Sequence, residues 1–238
     1  MRVINVGNRI SNIYMVKLEK GYLLIDTGYP EQFPGFCKKL NKNGIELSEI
    51  LYVFLTHAHD DHAGFLNELL DNTSAKVILE KHAVERLWVG QNSFDGGCAS
   101  YLSLITCKVM EMLGKGEHVF PSVYRKERYI ILDDISQPKV ERELSSKILS
   151  LPGHTIDSIG IMLDNGHLFC GDAAMNGFPS RNRMTIWIED LSEYLNSWHT
   201  MIKHNPSMIY PSHGKPFKVN DLKKYMHKAG KTRLYPIR

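Results

Sequence analysis

Along the chain, short apolar runs of strand length alternate with stretches whose apolar residues recur every three or four positions. "VINV", "NIYMVKL" and "GYLLIDTG" read as strands, the last ending on Asp26-Thr27-Gly28. "EQFPGFCKKLNKNG" predicts a helix, with Phe36 and Leu40 four apart and Asn43-Gly44 to stop it. "ILYVFLTH" is a continuous apolar strand of the kind buried on both faces. Helical material follows in "HAGFLNELL", then the strand "AKVILE" and the helix "KHAVERLWVG". From Ala99 to Gly114 another helix is expected, with Leu102, Ile105, Val109 and Met112 at helical spacing.

The later half continues with strands in "SSKILSLPGH", "SIGIML" and "LFCGDA". Asn165-Gly166 between two apolar runs predicts a hairpin with a type I′ turn. A helix from about Leu191 to Lys203, a short strand "MIYPSHG" and a helix from about Val219 complete the order. Strands and helices interleave in two batches, so the fold class is α/β. Periodicity alone fits both two packed sheets with outer helices and a doubly wound sheet. No linker, repeat or low-complexity run divides the chain, so a single domain over residues 1–238 is expected.

Composition narrows the function classes. With 43% hydrophobic and 23% charged residues the chain has ordinary globular composition. Its apolar runs fall short of the roughly 20 residues a spanning helix needs, so no membrane span is expected. "MRVINVGNRISN" has no apolar signal-peptide region, which points to the cytoplasm. Four cysteines, Cys37, Cys98, Cys107 and Cys170, lie far apart without a CxxC pair and read as reduced thiols. The net charge of +3 is spread thinly. "RKER" at Arg125 to Arg128 and the C-terminal "HKAGKTR" read as solvated faces, which leaves a small molecule, not a nucleic acid, as the expected partner.

The chemistry lies in "LTHAHDDHAG", directly after an apolar strand. A lone histidine there would mean little, and His82, His118, His167, His199, His204 and His227 read as surface or cap residues. His57, His59, Asp61 and His62 are different, because so many polar groups at one strand exit need a counter-charge. A divalent cation supplies it. Imidazole with carboxylate suits zinc, iron or manganese better than calcium. Three more candidates also follow apolar strands, each with a glycine beside it: His154 after Gly153, Asp172 after Gly171, and His213 before Gly214.

From Asp26 to His213 the sequence resembles the metallo-β-lactamase superfamily. "THAHDDHAG" matches that family's HxHxDH signature, and His154, Asp172 and His213 match its later motifs in order. Asp26 in "LIDTG" matches the first motif, whose carboxylate supports the site without being a ligand. The resemblance implies an αββα sandwich of two mixed sheets with helices on the outer faces. It implies that His57, His59 and His154 hold one metal, that Asp61, His62 and His213 hold a second, and that Asp172 bridges them. Seven ligands are too many for one ion that prefers four to six partners, whereas two ions about 3.5–4 Å apart share them and leave room for a water. Zinc leads, with iron or manganese as alternatives. Asp60 falls at the variable position of the signature, and Cys170 is expected to be buried behind the site.

The reaction this implies is metal-assisted hydrolysis by a hydroxide bridging the two ions, with Asp61 orienting the nucleophile and returning a proton to the leaving group. The expected substrate is a small ester, lactone or thioester. True β-lactamases of the family generally carry Cys or Ser where Asp172 stands, and its ribonucleases carry a protruding RNA-binding arm. Hydrolysis of β-lactams or phosphodiesters is the alternative within the class. The other class is a mononuclear-iron persulfide dioxygenase, which keeps the same signature. Residues 92–123 and "NGFPSRNRM" are candidate pocket segments, with Phe178 as a lining residue and Arg181 or Arg183 to meet an anionic group.

Overall fold

The computed structural model describes residues 2–237. The chain runs through β1 (Val3–Asn5), β2 (Tyr14–Lys17), β3 (Tyr22–Ile25), α1 (Phe33–Lys42), β4 (Ile50–Phe54), α2 (Asp60–Ala63) and α3 (Leu66–Asn72). It continues with β5 (Lys76–Leu79), α4 (Ala83–Val89), β6 (Gly97–Cys98), α5 (Tyr101–Met112), β7 (Tyr129–Ile131) and α6 (Ser136–Glu143). The last part holds β8 (Ser146–Ser150), β9 (Ile159–Leu163), β10 (His167–Gly171), β11 (Trp187–Ile188), α7 (Leu191–His204), β12 (Met208–Pro211) and α8 (Asn220–Ala229). The α/β class is the one the residue pattern predicts.

These elements form two compact units. The first comprises Met1–Asn92 and Val119–Leu144. Its sheet has the order β1-β2-β3-β4-β5-β7, antiparallel from β1 to β3 and parallel from β3 onward. The apolar β4 sits in the parallel part, with Val53 opposite Leu24 on one side and Val77 on the other. Phe36 and Leu40 of α1, Leu66 and Leu69 of α3, and Leu87 of α4 share one core with those three residues.

The second unit comprises Ser93–His118 and Ser145–Arg238. Its sheet runs β12-β10-β9-β8, with β10 and β12 parallel and the other pairs antiparallel, and β6 pairs separately with β11. Tyr194 and Trp198 of α7 are completely buried, a burial that stabilises by roughly 1.5–3 kcal/mol for each large side chain. The Trp198 indole N–H donates to the Ala173 carbonyl at 2.8 Å, so its polar edge is satisfied. Asp190 caps α7 by accepting from the N–H groups of Ser192 (2.8 Å) and Glu193 (3.0 Å).

Three details differ from the pattern-based expectation. The β9–β10 hairpin forms, but not on a type I′ turn. That turn needs positive φ at both central residues; here Gly166 takes φ 81° while Asn165 does not, and the Gly166 N–H donates to Leu163 O at 2.8 Å. Helix α5 forms where its spacing predicts, yet its stripe faces outward: Ile105, Val109 and Met112 are exposed, and Ser103 is its one buried residue. Finally, β7 and α6 have no counterpart in the apolar pattern.

Candidate metal centre

In the first unit, the site begins where the parallel neighbours β3 and β4 end side by side. The Asp26 N–H donates to Phe54 O at 3.0 Å, and Asp26 itself adopts φ 58°, a left-handed conformation that aspartate tolerates better than most residues. This turn sends its carboxylate across to the exit of β4. Oδ1 accepts from the Thr56 N–H at 2.7 Å, and Oδ2 accepts from the Thr56 hydroxyl at 2.8 Å and lies 2.9 Å from His62 Nδ1. Having given its proton to Asp26, the Thr56 hydroxyl meets His57 Nδ1 with a lone pair, at 3.1 Å. Both imidazoles therefore carry their proton on Nδ1 and leave Nε2 as the candidate ligating atom. Thr27 adds a second restraint, donating from N–H and from hydroxyl to the His62 carbonyl, each at 2.7 Å.

The signature histidines pack together: the His57 ring centroid lies 4.6 Å from that of His59 and 3.9 Å from that of His62. All three are buried, as is Asp61, whose Oδ1 stands 3.4 Å from His62 Nε2. Asp60 finds its role through Asn92. Its N–H donates to Asn92 Oδ1 and its Oδ1 accepts from Asn92 Nδ2, both at 2.9 Å, which fixes the start of α2.

The second unit places its own candidates by the same device. The parallel neighbours β10 and β12 end together, with a register shift at Gly171 opposite Pro211, and deliver Asp172 and His213. Asp172 Oδ2 lies 3.4 Å from His213 Nε2 and 3.9 Å from His154 Nε2. The Thr185 hydroxyl approaches the same oxygen at 3.5 Å. His154 Nδ1 is 2.7 Å from the Trp187 carbonyl, so here too the proton sits on Nδ1 and Nε2 faces the carboxylate. Two glycines make this possible. A Cβ on Gly153 (φ 122°) would stand 2.1 Å from the Tyr194 backbone nitrogen, and one on Gly214 (φ 86°) 2.1 Å from the Asn176 carbonyl carbon. His154 and His213 can take their places only because the chain beside each runs against another backbone.

The donor geometry can be tested against a metal. Two ligand atoms bound about 2.1 Å from a tetrahedral ion lie about 3.4 Å apart. The His62–Asp61 and His213–Asp172 separations, both 3.4 Å, match that edge and exceed a good hydrogen bond. Neutral imidazoles held at Nδ1 and buried carboxylates suit a first-row transition metal. Within each unit the residues fit.

Cys170 is buried, as expected, in the second core, its thiol directed at the carbonyls of Gly171 and Ala174. Arg183 is engaged within the unit: its Nε and Nη2 donate to Asp221 Oδ2 at 2.9 and 2.7 Å, and its guanidinium covers the Phe217 ring at 5.1 Å. The role of meeting an anionic substrate therefore does not fall to it. Phe178 is 81% exposed. The supporting residues Thr56, Asn92 and Thr185 have no signature in the sequence, because a threonine or asparagine near a motif carries no signal of where its side chain points.

Among known proteins, a family model described as the metallo-beta-lactamase superfamily matches residues 6–213. The Beta-lactamase-like protein 2 homolog of Caenorhabditis elegans is 24% identical over 205 residues, covering 86% of this chain and 56% of its own length. The metallo-beta-lactamase fold-containing protein ST1585 of Sulfurisphaera tokodaii is 25% identical over 213 residues, covering 86% and 73%. The lactamase-like protein adaB of Aspergillus niger is 26% identical over 209 residues, covering 86% and 50%. The chain thus spans little more than half the length of the first and half that of the third. The crystal structure of archaeal ST1585 superposes with a TM-score of 0.64 at 20% identity, covering 95% of this chain and 84% of that one. A B3 metallo-beta-lactamase with an active-site glutamic acid gives 0.63 at 15% identity, covering 95% and 84%. At these identities the likeness is one of fold.

Proposed function

We propose that this chain, which belongs to the metallo-β-lactamase superfamily, is a binuclear metal-dependent hydrolase of a small ester, lactone or thioester. The observation that carries the reading is Asp172, whose Oδ2 faces both His154 Nε2 and His213 Nε2 at 3.9 and 3.4 Å, as a bridging carboxylate would. On the family pattern His57, His59 and His154 hold one ion and Asp61, His62 and His213 the other, so that the chain works as a single catalytic domain. Zinc is the proposed metal, since imidazole and carboxylate together suit it, and iron or manganese would use the same set. Two bound cations supply Lewis acidity and bring the pKa of water down to about 7. Asp61 orients the attacking water and hands a proton to the leaving group. Asp26 holds His62 directly and His57 through Thr56, keeping both imidazoles aimed with the proton on Nδ1. No helix among the described residues is long and apolar enough to cross a membrane, and the proposed partner is a small molecule in the cytoplasm.

The test is a substrate panel on protein reloaded with zinc, iron or manganese, with metal content measured in parallel. Short- and long-chain lactones, acyl thioesters, cephalosporins, bis-nitrophenyl phosphate and glutathione persulfide make up the panel. Close to two ions per chain and turnover of lactone or thioester are expected. Cephalosporin turnover without esterase or lactonase activity would overturn the substrate class. Oxygen consumption with persulfide by an iron-loaded, hydrolytically silent protein would overturn the reaction class.

A further inference from the structure

Two of the four cysteines, nine positions apart in sequence, meet in the second unit. The Cys98 thiol directs its proton at Cys107 Sγ, 3.6 Å away. The meeting follows from local structure: β6 ends on Cys98, Ser100 caps α5 by accepting from the Ser103 N–H at 3.1 Å, and the helix carries Cys107 back over the strand. Cys98 is fully buried and held on both sides, paired with Trp187 across β11 and bonded to Tyr235 through both backbone groups at 2.8 and 2.9 Å. Cys107 is only half buried.

We propose that Cys98 and Cys107 form a thiol–disulfide exchange site that takes low-molecular-weight disulfides and closes to an intramolecular Cys98–Cys107 disulfide. The two cysteines divide the work by access. Cys107, reachable from solvent, attacks as thiolate; donation from the Cys98 thiol and the nearby His118 pull its pKa down, against the opposing effect of burial. It bonds to one sulfur of the small disulfide and expels the other half as a thiolate. Cys98 then loses its proton and attacks the Cys107 sulfur, expelling the second small thiol. Two protein thiols are oxidised, one small disulfide is reduced to two thiols, and the two cysteine protons end on those thiols. The sulfurs start in contact at 3.6 Å and close to about 2.05 Å in the disulfide. The bond would form on the strand pair whose Trp187 carbonyl holds His154.

Incubating the reduced protein with graded ratios of reduced and oxidised glutathione, then counting thiols after denaturation, tests this. The count should fall from four to two, peptide mapping should join the Cys98 and Cys107 peptides, and dithiothreitol should restore four. Cys98→Ser should stop at a glutathione adduct on Cys107, and Cys107→Ser should form neither bond nor adduct at Cys98. Cys37, half buried in the first unit with its pKa raised chiefly by burial, is the internal control and should react more slowly than Cys107. Four surviving thiols, a bond made by Cys37 or Cys170, or Cys37 reacting as fast as Cys107 would each overturn the proposal.

Discussion

At the scale of single residues, the histidine cluster of the first unit hangs on Asp26. Its two oxygens receive three donors: the Thr56 N–H, the Thr56 hydroxyl and His62 Nδ1. Asp26→Ala should weaken metal affinity about 10–100-fold without removing a ligand. Asp26→Asn is the sharper test. Asparagine tolerates the positive φ at this position, but its amide must turn a donor toward at least one of the three donors it faces. The asparagine variant should therefore lose nearly as much affinity as the alanine one, while Thr56→Val, which removes the hydroxyl joining Asp26 to His57 but leaves the Asp26 contact to His62, should lose less. Competition with a chromogenic chelator measures all three. An asparagine variant that binds metal like the wild type would show that hydrogen-bond polarity at Asp26 is unimportant.

At the scale of elements, the apolar pattern reveals what is buried and regular. Strands β4, β5, β9 and β10, which lie in the interior of the two sheets, could be read because their side chains enter a core; so could each strand exit that bears a candidate ligand. What lay outside that logic was invisible. Strand β7 is three residues of half-buried or exposed chain, and α6 carries Pro138 near its start with Val140 its only buried residue. Helix α5 shows the converse failure, since its spacing marks a helix without marking which face is covered. In the site, the candidate ligands could be named from motif spacing, but Thr56, Asn92 and Thr185 could not, because the turns that aim them exist only in the folded chain. Helix α7 offers a test of this scale. The Ser192 hydroxyl, with the Glu193 N–H, holds the Asp190 carboxyl below the usual aspartate range. Its contribution is thus complete above the unfolded pKa near 3.9 and lost as pH falls through the lower folded value. Asp190→Ala should cost about 1 kcal/mol at neutral pH. In urea titrations the gap to wild type should close as the pH drops below 4. A gap that persists under acid would mean the carboxylate charge is not what stabilises the cap.

At the scale of the whole molecule, an ion that binds only the folded chain adds to its stability. Free metal at 100 times its Kd should contribute about 2.7 kcal/mol per site. Calorimetry of chelator-stripped and reloaded protein should therefore show a clear rise in Tm on reloading; equal melting temperatures would contradict a metal centre. The path of the chain between its two units has a consequence for synthesis. The second unit takes in Ser93–His118 before the first unit has received Val119–Leu144. Cys98 must wait for partners at Trp187 and Tyr235, whereas β3, β4 and β5 find theirs within a few tens of residues. Late partners cost more loop-closure entropy and are made last. On the ribosome, the 93–118 segment is thus an idle loan: translated early, left without its sheet, and called in when Trp187 and Tyr235 emerge. Pulsed hydrogen exchange during refolding should find the Val53 and Val77 amides protected before those of Cys98 and Tyr235. During that interval the outward-facing apolar stripe of α5 has no folded unit behind it, which makes this short stretch the place where a holding chaperone would be expected to bind the nascent chain.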